Sequence, residues 1–200
     1  MPGEFAVREL GPLITYSEDL HESSQVFLDS WLPSKTPKTQ AAWIGVDNPR
    51  SAKIEDQSPD RLHALSDLWE TMSIKQCEPP TTSDVDGLAK SLNVLSGKWL
   101  VFVSSDKVDD LWKRIAESTL AGTLGNRAKV STRDEWDSAS RHVICVYNDD
   151  YTSMADVDRI RDELRRLDVK GRIPYKPDIY TYCNIYRGNR WGIPASRYIS

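Results

Sequence analysis

Two strand-like runs, AKVST at residues 128–132 and HVICVY at 142–147, are separated only by the polar stretch from Arg133 to Arg141. Parallel neighbours need a crossover of a dozen or more residues, usually a helix. These two runs therefore predict an antiparallel pair. A third run, GKWLVFV at 97–103, alternates in the same way, and AAWIGV at 41–46 reads as a fourth strand before the turn signal Asp47, Asn48, Pro49, Arg50. Strands outnumber what a βαβ alternation gives. The expected class is α+β, a curved antiparallel or mixed sheet with helices on one face.

The helices are read from spacing. Leu20, Ser24, Phe27, Leu28 and Trp31 recur at three and four residues from Ser17, and Pro33 closes that helix. Ser58 and Pro59 form a cap and first-turn pair ahead of Leu62, Leu65, Leu68, Trp69 and Met72. A weaker helix runs from Ser83 to Leu95. Asp106 is expected to cap a helix carrying Val108, Leu111, Trp112, Ile115 and Leu120, with Gly122 and Gly125 ending it. Ser153 begins another, with Val157, Ile160, Leu164 and Leu167 on one side. IYTYCNIY at 179–186 reads as the last strand. Residues 1–16 lack periodicity and are expected to be a loose arm before a single domain over 17–200.

At 39% hydrophobic over 200 residues the chain can bury a core of its own. It lacks a signal-peptide pattern and any apolar run near the ~20 residues that span a bilayer, so no membrane partner and a cytoplasmic location, with the nucleus also open to it, are expected. Cys77, Cys145 and Cys183 are odd in number and far apart, which argues against a disulfide framework or a zinc site. No metal or cofactor is expected.

Charge is unevenly placed. Residues 1–96 hold 8 Lys/Arg against 15 Asp/Glu and residues 97–200 hold 18 against 15. The last thirty residues carry Arg172, Lys176, Arg187, Arg190 and Arg197 against Asp178 alone. That excess can meet phosphate but is too small for tight duplex binding, so DNA is not expected.

The runs AAWIGV, SGKWLVFV, AKVS, HVICVYNDDYT and YKPDIYTYCNIYRGNRW resemble, in order and spacing, the basophilic leukaemia-expressed protein family over roughly residues 25 to 200. The resemblance implies a fold like that of translation initiation factor 4E, a curved antiparallel sheet with helices on its convex face and an open concave side. In that factor two loop tryptophans stack a methylated guanine. The corresponding stretches here, about residues 47–56 and 78–96, contain no tryptophan, and Trp69 and Trp99 fall at core positions. By the same resemblance, Arg133 matches a phosphate-contacting arginine at a strand end, and Arg141 or His142 falls near a second basic position.

Read as a strand, 179–186 puts Ile179, Thr181, Cys183 and Ile185 on the helix side and Tyr180, Tyr182, Asn184 and Tyr186 on the open side, where bases can stack on rings. Tyr175 and Lys98 are assigned to the same face. Lys129, Arg133, Lys176, Arg187 and Arg190 would contact phosphate. The glycines at 122 and 125 read as a helix stop, since no Gly-Lys-Ser/Thr ending follows them. His21, His63 and His142 lie in separate elements, and His142 and Cys145 point to opposite strand faces. No catalytic set is assigned. The expected function is a non-enzymatic module binding a nucleotide or single-stranded RNA on the open face. The alternative is a protein-interaction adaptor using the helical face, which exposure of Trp69 or Trp112 would favour.

Overall fold

The computed structural model describes residues 12–51, 59–75, 79–137 and 141–200. In chain order the elements are β1 (Leu13–Thr15), α1 (Ser24–Ser30), β2 (Trp43–Asp47), α2 (Pro59–Lys75), α3 (Thr82–Ser91), β3 (Gly97–Val103), α4 (Ser105–Leu120), β4 (Arg127–Ser131), β5 (His142–Asn148), α5 (Met154–Arg166), β6 (Pro174–Pro177), α6 (Asp178–Tyr182) and β7 (Tyr198–Ile199). The strands form one seven-stranded sheet in the order β1-β2-β4-β5-β3-β6-β7. Only β1–β2 is parallel, so the sheet is mixed and the class is α+β. Among the described residues no helix is long and apolar enough to cross a membrane.

Strand alternation decides where the core sits. Trp99, Val101 and Val103 on β3 pair with Val146, Ile144 and His142 on β5, and Val146 and Ile144 pair onward with Ala128 and Val130 on β4. Ile44 and Val46 on β2 continue that face. All except His142 belong to one buried cluster with Trp69 of α2, Val85 of α3, Trp112 and Ile115 of α4, and Val157 and Ile160 of α5. The helices thus cover one side of the sheet. Trp99 Nε1 donates to the Val157 carbonyl at 3.0 Å, which satisfies the indole inside this core.

Gly97 has a definite packing reason. A Cβ there would lie 2.2 Å from Tyr175 Oη and 2.7 Å from its Cζ, and Tyr175 is fully buried. We expect Gly97→Ala to lose about 1–3 kcal/mol of stability in urea unfolding, the usual cost of overpacking.

Three elements contradict the sequence reading, and β6 and β7 fall where no strand was read. Leu13–Thr15, inside the expected arm, forms β1 on β2, whereas residues 1–11 lie outside the described residues. Only Ser24–Ser30 of the first expected helix is helical, because Ser23 accepts a hydrogen bond from Val26 N and caps it there, and Leu20, at 80% exposure, has no packing to extend it. The third departure changes the candidate site. The expected strand 179–186 is instead the short helix α6 and a loop. Pro174 and Pro177 bound β6, and Pro177, with φ −58, leads straight into the helix. Ile179, Tyr180 and Cys183 then share a buried helical face. Asn184, at φ 54, terminates it: Ile185 N donates to Tyr180 O at 2.7 Å and Asn184 N to Thr181 O at 3.2 Å, the bond pair of a Schellman cap.

Candidate functional site

The face of the sheet turned away from the helices carries lysines from three strands. Lys98 on β3 lies directly opposite Lys176 on β6 and, on its other side, opposite Tyr147 on β5. Lys129 on β4 lies opposite Cys145 on β5 and Gly45 on β2. Trp43 of β2 and Phe102 of β3 share this side by alternation. Tyr186 reaches it from the loop after α6.

Each ammonium rests on an aromatic ring. Lys176 Nζ is 3.5 Å from the Tyr186 centroid, and Lys129 Nζ is 4.3 Å from that of Trp43. Lys98 and Lys129 both face the Tyr147 ring, at 5.2 and 5.8 Å. The negative face of a ring stabilises a cation, though less than a carboxylate does. One carboxylate serves the row. Asp178, at the start of α6, pairs with Lys98, accepts from Ser96 Oγ at 2.7 Å and donates its backbone N–H to Ser96 O at 2.8 Å. Among the described residues, neither Lys129 nor Lys176 makes an ion pair.

The electrostatics follow from this unequal pairing. Burial is the largest single influence and opposes the charge of Lys98, but its neighbours together, Asp178 foremost, outweigh it and the ammonium is held above the usual lysine range. Lys176 is only 5% exposed. Burial first and the like charge of Lys98 second push its pKa down to about 8. Burial, with Lys98 again adding to it, also lowers Lys129. Burial raises the Cys145 thiol and holds the Tyr147 phenol well above its usual value, so both stay neutral.

Of the residues assigned from sequence, Lys98, Lys129, Lys176 and Tyr186 come together here. Tyr175 does not: it lies on the core side of β6, 5.2 Å from Trp99 edge to face, with its hydroxyl on Asn148. Tyr180 does not either, being 1% exposed in the core. The two corrections have different causes: the strand alternation assumed for 179–186 fails in a helix, which turns Tyr180 inward, and Tyr175, on β6, has the core-facing parity of Trp99. Tyr182 ends α6 and is exposed. Arg190 stacks at 5.0 Å on Trp191, which packs against Trp69 of α2 on the helical side. Arg187 is exposed in the same loop. Arg133 sits past the end of β4, four residues or about 13 Å beyond Lys129 at the rise of a strand. His142, read as near a basic position, is 3% exposed on the core side. The site residues missed from sequence are Trp43, Tyr147 and Asp178; their parity with Lys98 and Lys129 on the strands was the available signal for the first two.

Elsewhere the chemistry is structural. His142 Nδ1 meets the Ser131 carbonyl at 2.7 Å, so that nitrogen carries the proton and Nε2 accepts from Ser105 Oγ at 2.9 Å. This ties the start of α4 to β4 and β5. Gly122, at φ 76, ends α4, and the nearby cavity of about 180 Å³ is lined in part by Asp149 and Asp156, which does not suit an anion. Asp150 caps its own turn by accepting from Thr152 N and Oγ1. Cys145 and Cys183 are buried free thiols, and Cys77 lies outside the described residues. Among the described residues no group of three or more His, Cys, Asp or Glu side chains is placed to hold a metal. Trp69 and Trp112 are 2% and 1% exposed, so the exposure that would favour a helical-face adaptor is missing.

An α+β protein with a row of partly to fully buried lysines on the helix-free side of its sheet is the class these features define. Residues 63–184, more than half of the chain, match the family model of basophilic leukemia-expressed protein Bles03, and the chain belongs to that family. Among solved structures it is similar to schistosome eIF4E complexed with m7GpppA and 4E-BP, at 17% identity and a TM-score of 0.41 over 52% of this chain and 58% of that one. It is also similar to C. elegans eIF4E-3 in complex with the 4E-binding protein Mextli and a cap analogue, at 18% identity, a TM-score of 0.42, and 62% and 65% coverage. A third is Ascaris suum eIF4E-3 with the m2,2,7G cap, at 18% identity, a TM-score of 0.40, and 62% and 64% coverage. The chain thus spans less than two thirds of each of these proteins. At this distance they assign no ligand to it.

Proposed function

We propose that this protein is a binding module that takes a nucleotide or the end of a single-stranded RNA on the lysine-bearing face of its sheet. The observation that carries the reading is the placement of Lys98 directly opposite Lys176, with Lys129 nearby and a single carboxylate among them. Like charges directly opposite on a sheet destabilise it, and burial adds to the cost. Local rules broken in this way are expected at functional sites, where a ligand supplies what the chain omits. Phosphate oxygens suit the ammoniums, and the rings beside them, exposed in Tyr186 and Phe102, suit a base, with stacking of about 1–3 kcal/mol per base.

The test is a thermal-shift screen of mono- and dinucleotides, cap analogues and short single-stranded RNAs. A ligand at 100 times its Kd should add about 2.7 kcal/mol of stability. The shift is expected to disappear in Lys129→Gln/Lys176→Gln, whose fold is checked by circular dichroism. No shift across the panel, or an unchanged shift in the variant, would refute the reading.

A further inference from the structure

The lysine row specifies the kind of phosphate as well as the sign of the ligand, an inference that rests on the nucleotide reading above. Three ammoniums, Lys98, Lys129 and Lys176, share one carboxylate, Asp178, so neutralising the row needs two more negative charges. A phosphodiester carries one charge per phosphate and spreads its charges along a chain. A phosphomonoester approaches two at neutral pH, its second pKa being about 6, and offers three strong acceptor oxygens at one point. The positive charge here is also concentrated: Lys98 and Lys176 are cross-strand partners, with Cβ atoms expected only about 5 Å apart.

The cover on Lys176 is consistent with that seat. Tyr186 is 43% exposed, yet its ring lies 3.5 Å from an ammonium on a residue that is only 5% exposed. The ring is held by a loop beyond the helix stop at Asn184 and, among the described residues, makes no side-chain hydrogen bond to the sheet, whereas Lys176 is fixed on β6 opposite Lys98. A ring face is a weaker partner than an oxyanion, so an arriving phosphate can replace it. We propose that the ligand is a phosphomonoester, a nucleoside monophosphate or a 5′-phosphorylated RNA end, whose phosphate displaces the Tyr186 ring from Lys176 and bridges Lys176 to Lys98. The displaced ring remains beside the site and offers its face to the base.

The experiment is titration calorimetry on the full chain with the four nucleoside 5′-monophosphates, the matching dinucleoside monophosphates that contain only a diester, and a 5′-phosphorylated dinucleotide. The monoester ligands are expected to bind at least tenfold more tightly than the diester-only ones. Lys176→Gln should abolish that preference, and Tyr186→Phe should keep it. Equal affinity for diester-only and monoester ligands would overturn this inference while leaving the nucleotide reading intact. Absence of binding by every probe would overturn both.

Discussion

Lys176→Met is expected to stabilise the protein by about 2–3 kcal/mol at pH 7 and to weaken nucleotide binding. The sign comes from the lowered pKa of this lysine, 10.5 in the unfolded chain and about 8 in the fold, each unit being worth about 1.4 kcal/mol. Below pH 8 both states hold the proton, so the folded state bears the full cost of a buried ammonium facing Lys98. Between pH 8 and 10.5 only the unfolded chain keeps it, and the cost is progressively relieved as pH rises. Methionine preserves the apolar stem and can pack its sulfur on the Tyr186 ring without the charge. The variant's advantage in urea unfolding should therefore be full at pH 7 and much smaller at pH 10. A destabilised variant, or an advantage independent of pH, would mean that the ammonium is not under-neutralised. Gain of stability with loss of binding is the pattern of a residue kept for function.

Asp178→Asn should move stability strongly the other way. Its carboxylate is the partner of Lys98, and both side chains are largely buried, at 11% and 13% exposure. Removing one member of a buried pair leaves an uncompensated charge and typically costs about 3–5 kcal/mol. Here the loss also leaves Lys98 facing Lys176 with no carboxylate between them. The amide can still accept from Ser96 Oγ, so the fold of α6 should persist. In urea unfolding, the double variant Asp178→Asn/Lys176→Met is expected to recover more stability than the two single effects add up to, because the residues share one electrostatic network. Strict additivity would show that Asp178 and Lys176 do not sense each other.

The two predictions depend on side chains whose placement was unequally legible in the sequence. Alternation in GKWLVFV and HVICVY gives β3 and β5 almost residue for residue, and with them the side on which Lys98 lies. The spacing of Val108, Leu111, Trp112 and Ile115 likewise gives α4, although Ser104, not Asp106, holds the cap position. The sheet order was not legible, since β3 inserts between β5 and β6 through contacts far apart in the chain. The tyrosine-rich run after Pro177 misled for a physical reason. Its Ile, Tyr and Thr favour strands, but that preference reflects packing on a pleated surface and yields to context. Pro177 ahead of the run and Asn184 as a left-handed stop were the opposing signals, and they bracket a single helical turn. With that turn, Tyr180 moves into the core and Asp178 comes to Lys98, so the helix-free face is built on lysines and the rings beneath them, Trp43 and Tyr147, with Tyr186 beside Lys176.

The most direct test of this account is the titration of the lysine side chains by NMR, with 13C at Cε, in the free protein and in the presence of a nucleoside 5′-monophosphate; Lys176→Met assigns the signal. The account predicts that Lys176 titrates near pH 8 when free and moves upward when the phosphate is bound, because an adjacent anion favours the charged amine. A Lys176 that titrates near 10.5 in the free protein, or one near 8 that the nucleotide does not move, would contradict it.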